Sequence, residues 1–101
     1  MNQLSKMSFK YSKHAAQQIE ARGIDKKTIS AVIDSYDKIL TDATGLTIYQ
    51  KLIKEHGKDY LYRVFVNKEK NPFLIVTAYK TTKINKYEPS HDSTIDTNAD
   101  D

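Results

Sequence analysis

The chain has 101 residues, 39% apolar and 29% charged, with no cysteine and a formal net charge of +3. That length allows one domain with one core, and the missing cysteine excludes disulfide frameworks and thiolate zinc sites. Asp92, Asp96, Asp100 and Asp101 crowd the last ten residues, so residues 1–91 hold 16 basic against nine acidic side chains, a surplus of +7. A basic body of this kind attracts polyanions.

Residues 1–8 read as a lead. Met1 to Met7 lacks the apolar centre of a signal peptide, and the longest apolar run, Phe73 to Val76, is far short of a membrane span. A soluble chain acting in the cytoplasm, with no membrane partner, is the expectation. Ser12 is a suitable N-cap for a helix from Lys13 to Arg22, closed by Gly23, with Ala15, Ala16 and Ile19 on its apolar face. Asp25 caps a second helix, Lys26 to Ser35, with Ile29, Val32 and Ile33 at helical spacing.

From Lys38 the apolar period shifts toward two, with turn signals at Ala43-Thr44-Gly45, Glu55 to Asp59 and Asn67 to Pro72. Strands are expected over Ile39 to Thr41, Leu46 to Ile53, Tyr60 to Val66 and Phe73 to Tyr79. Connections this short imply an antiparallel meander. The fold class is therefore α+β: two N-terminal helices packed on one face of a four-stranded antiparallel sheet, within a single domain of residues 9–87. Residues 88–101, polar and aspartate-rich, read as a disordered acidic tail.

The run Phe73 to Lys83 passes from an apolar strand into Tyr79-Lys80-Thr81-Thr82-Lys83, which places phosphate-type donors on a stiff support. If Tyr62, Val64 and Val66 with Leu74, Val76 and Ala78 face the helices, Arg63, Thr77 and Tyr79 share the open face. Alternation turns Lys80 away from Tyr79. On the first helix His14, Gln18 and Arg22 form an i, i+4, i+8 stripe beside the apolar face. The plainer alternative pairs Arg63 with a surface carboxylate and leaves Tyr79 as a rim residue. The histidines lack metal-ligand spacing, so neither metal nor cofactor is expected.

No phosphate loop, dinucleotide fingerprint, nucleophile elbow or paired-carboxylate signature is present. A site of Lys, Arg, Thr, Tyr and His suits stabilisation of a pentacovalent phosphate, as in RNA cleavage by its own 2′-hydroxyl. The same basic face also suits a nucleic-acid-binding module without chemistry. An open face carrying Leu61, Phe65, Phe73 and Ile75 would suit a protein-interaction domain.

Ser12-Lys13-His14-Ala15, Arg22-Gly23-Ile24, Tyr62-Arg63-Val64 and Val76 to Ile84 with Tyr87 resemble, as an ordered set, a small bacterial domain-of-unknown-function family over about Phe9 to Tyr87. Such domains resemble barnase-like, RelE-like and colicin-type ribonuclease toxins. The resemblance implies a metal-independent endoribonuclease toxin whose partners are RNA and a cognate inhibitor protein. By position it implies His14, Arg22, Arg63, Thr77, Tyr79, Lys80, Thr82 and Lys83 as site residues. With Gln18 from the helical stripe and Lys86 beyond the last strand, the expected site has His14, Arg63, Thr77, Tyr79 and Lys83 as catalytic residues and Gln18, Arg22, Lys80, Thr82 and Lys86 as RNA-binding residues.

Overall fold

Ser12 caps the first helix as the sequence suggests. It sits in an extended conformation, and its hydroxyl accepts the Ala15 N–H at 3.0 Å. That bond satisfies one of the orphan donors of helix α1, Lys13–Ala21. The helix ends at Ala21, one residue inside the expected end, with Arg22 as its C-cap, and Gly23 reverses the chain at φ 67°. Helix α2 spans Lys26–Asp34. Asp25 holds its N-cap position, but its carboxylate makes no capping bond; its carbonyl receives the Thr28 and Ile29 N–H groups. The computed structural model describes residues 8–87, so the expected acidic tail and all but the end of the lead lie outside the described residues.

The sheet differs from the expectation in one strand and one pairing. β1 (Phe9–Tyr11), β2 (Lys38–Thr41), β3 (Thr47–Glu55), β4 (Lys58–Asn67) and β5 (Phe73–Thr81) form one sheet in the order β1-β5-β4-β3-β2. β2 to β5 make the antiparallel meander, whereas β1 pairs parallel to β5, Phe9 opposite Phe73 and Tyr11 opposite Ile75. The sheet is thus five-stranded and mixed, not four-stranded and antiparallel. A parallel pair requires a long crossover, and here the whole intervening chain supplies it. A short helix α3, Ile84–Tyr87, follows β5. The β3–β4 hairpin turns on His56 and Gly57, at φ 53° and 78°, the left-handed pair that a two-residue loop demands.

One buried cluster joins α1 and α2 to the sheet: Ala15, Ile19 and Ile24, then Ile29, Val32 and Ile33, against Tyr49, Tyr62, Val64, Val66, Ile75 and Ala78. The parity expected for β4 holds. On β5 it breaks, because a bulge sets Phe65 opposite Thr77 but Val66 opposite Ile75. One residue is absorbed, so Ile75, rather than Leu74 or Val76, enters the core. Ile75 and Leu61, both expected on an open surface, are fully buried. α1 runs along the β5 edge beyond β1, its Ser12 N–H donating to the Ile75 carbonyl at 2.9 Å.

Candidate functional site

The face of the sheet opposite α1 and α2 carries one polar row at its centre. Gln50 on β3 stands opposite Arg63 on β4, which stands opposite Tyr79 on β5. Arg63 Nε donates to Gln50 Oε1 and Arg63 Nη1 to the Tyr79 hydroxyl, both at 2.7 Å. A guanidinium is planar with its donors in a fixed fork, so these two bonds set its plane. The Arg63 Cζ lies 5.4 Å from the Phe65 ring centroid and 5.9 Å from that of Tyr79, and the two rings are 6.0 Å apart. The result is a cation held above two aromatic rings on three rigid strands.

This face is not as open as expected. Gln50 and Leu61 are wholly buried and Ile48 is 5% exposed. A fully buried glutamine needs hydrogen-bond partners, and the Arg63 bond supplies one.

The helical stripe meets β5 at its free edge. The Thr77 hydroxyl donates to Gln18 Oε1, and Arg22 Nη1 donates to the Ala78 carbonyl at 2.9 Å. Gln18 and Arg22 therefore fasten α1 to the strand edge, where the sequence suggested RNA contacts. His14 is exposed one turn before Gln18, and its imidazole forms no hydrogen bond among the described residues. Thr82 and Lys83 are exposed just past β5, and the Lys83 N–H donates to Thr81 Oγ1 at 3.0 Å. Lys86 lies on α3, and its side chain is outside the described set.

Lys80 points to the helix-bearing face, as alternation predicts, and joins a second cluster there. Its Nζ donates to Glu55 Oε1 at 2.9 Å and lies 4.6 Å from the Tyr60 ring centroid. The Tyr62 hydroxyl donates to the other Glu55 oxygen. Glu55, Tyr62 and Lys80, with Gly23, Asp25, Thr28 and His56, line a cleft of about 380 Å³. Lys80 is thus separated from the Arg63 row, as the alternation along β5 requires.

The Tyr62 hydroxyl and the Lys80 ammonium hold the Glu55 carboxyl below its ordinary 4.5, and the bond to Glu55 raises Lys80. Burial, then the Glu55 carboxylate, pushes Tyr62 up to about 12. A depressed carboxylate stabilises the fold above its unfolded value, so the Glu55 contribution is complete above pH 4.5 and is lost as pH falls below it. A raised phenol stabilises below its unfolded value, so the Tyr62 contribution is complete below pH 10 and is lost between 10 and about 12. Denaturant midpoints across pH should fall at both ends, and Tyr62→Phe should reduce the alkaline fall without removing it, since Lys80, raised by its bond to Glu55, also loses its contribution at high pH.

The family model described as a domain of unknown function, DUF4258, matches residues 11–80. The chain belongs to this family. The family span runs from Tyr11 to Lys80 and so contains α1 and α2, four strands in essentially full length, the Arg63 row and the Glu55 cluster. Neither the curated proteins nor the solved structures contain a match.

Four residues of the family span escape a reading by composition: Gln50, Phe65, Glu55 and Tyr62. Alternation along β3 puts Gln50 on the Arg63 face, and only the register makes them opposite neighbours. Glu55 and Tyr62 share the parity of Lys80, a signal legible once the His56-Gly57 turn fixes the hairpin. Among the described residues no group of three or more His, Cys, Asp or Glu is placed to hold a metal ion, and no helix is long and apolar enough to cross a membrane.

Proposed function

We propose that this protein is a metal-independent endoribonuclease of RelE- or barnase-like architecture, acting on RNA in the cytoplasm and held in check by an inhibitor protein. The observation that carries this reading is the Arg63 guanidinium fixed between Gln50 and Tyr79 above Phe65. Arg over aromatic rings suits an unpaired base and its phosphate, and a guanidinium recognises phosphate oxygens. The RNA 2′-oxygen attacks the adjacent phosphorus, the bond to the 5′-oxygen breaks, and that oxygen leaves with a proton. The products are a 2′,3′-cyclic phosphate and a 5′-hydroxyl. Arg63 and Lys83 neutralise the phosphorane charge, Tyr79, Thr77 and Thr82 orient it, and His14 transfers the proton.

A second reading, RNA binding without chemistry, draws on the engagement of Arg22 and Thr77 in docking α1 and on His14 having no orienting partner among the described residues. His14→Ala separates the two. As a ribonuclease the variant binds RNA normally but cleaves it about 10²–10⁴-fold more slowly. A wild-type chain whose expression leaves growth unaffected and that binds RNA without cutting it selects the second reading.

A further inference from the structure

The sheet order leaves β1 and β2 at its two edges, and α1 covers what β1 leaves of β5. β2 is exposed at every residue. Tyr36, Ile39, Leu40 and Leu52, the exposed large apolar residues among the described ones, all gather at this edge, at 44%, 40%, 36% and 41% exposure. An edge strand normally blunts its unpaired N–H and C=O groups with charge, proline or a bulge, and β2 carries only Lys38.

We propose that β2 pairs antiparallel with β2 of a second copy about a twofold axis through Leu40, joining two sheets into one of ten strands. A twofold axis perpendicular to the sheet keeps each face on its own side, so it can match only residues of equal parity. Centred on Leu40, that register sets Leu40 against Leu40, Ile39 against Thr41, and Lys38 against Asp42, the last two twice over. The edge is therefore complementary to itself in charge as well as in apolar content, and this selects a second copy as occupant. The neighbouring register, centred on Ile39, sets Lys38 against Leu40 and forms no charge pair. Asp42 is placed for the role: its N–H donates to the Leu46 carbonyl at 2.9 Å, and its Oδ1 accepts from Thr44 and Leu46, which fixes the carboxylate at the strand end. Lys38 has no carboxylate partner among the described residues. The twofold axis puts both Arg63 rows on one side of the joined sheet, five strand spacings or about 24 Å apart.

Sedimentation of the full chain between about 1 and 500 µM tests this. A dimer is expected, with Lys38→Glu and Asp42→Lys each weakening association about tenfold or more. An equimolar mixture of those two variants restores it, since the mixed pair regains both opposite-charge contacts. Leu40→Cys, in a chain without cysteine, oxidises to a linked dimer, whereas Leu52→Cys on the neighbouring strand does not. This second arm holds even if Asp42→Lys disturbs its turn. A wild-type monomer throughout the range, linkage through Leu52→Cys as readily as through Leu40→Cys, or mass gained only with a different protein overturns the proposal.

Discussion

Arg63→Ala is expected to lower RNA cleavage about 10²–10³-fold, the effect of deleting one preorganised donor to developing charge. It should also reduce the slope of affinity against salt by about one phosphate contact. The same change removes the Nε donor to fully buried Gln50, so unfolding stability should drop by about 1–3 kcal/mol. Arg63→Lys should not restore activity, because a single ammonium cannot replace a fork that reaches Gln50 and Tyr79 together. Denaturant unfolding measured beside single-turnover cleavage separates the two losses: Gln50→Leu with Arg63→Ala should regain stability but not cleavage.

Ile29→Ala is expected to cost about 2–5 kcal/mol. Ile29 is wholly buried where α2 meets the sheet, so a cavity there loses contacts on both layers. In a domain of this size the melting temperature should fall by more than about 8 °C. Lys54→Ala, removing an exposed ion pair with Asp59 at 3.1 Å, should stay within about 0.5 kcal/mol. Calorimetry of the two variants beside the parent checks the contrast.

The helices were legible because Ser12, Gly23 and the apolar spacing of Ile29, Val32 and Ile33 act locally. The antiparallel meander was legible because its turns are short. β1 was not, since Phe9-Lys10-Tyr11 is too brief for periodicity and its partner Phe73 lies some sixty residues away in sequence. The β5 bulge is equally silent: Leu74, Ile75 and Val76 are all apolar, and only the strand opposite decides which one enters the core. At the candidate site, Arg63 beside Tyr79 followed from alternation, and so did the divergence of Lys80. Gln18 and Arg22 were placed at the right edge, but their partners there, Thr77 and the Ala78 carbonyl, were not legible, because a sequence shows that a side chain can bond and not that a strand already offers the group it meets.

A labelled RNA incubated with the purified chain in excess chelator, with termini analysed, tests the central claim most directly. The account predicts fragments ending in a 2′,3′-cyclic phosphate, and no cut where a single 2′-deoxy nucleotide replaces the attacking one. RNA that remains intact, or is cut at the 2′-deoxy position as well, contradicts it.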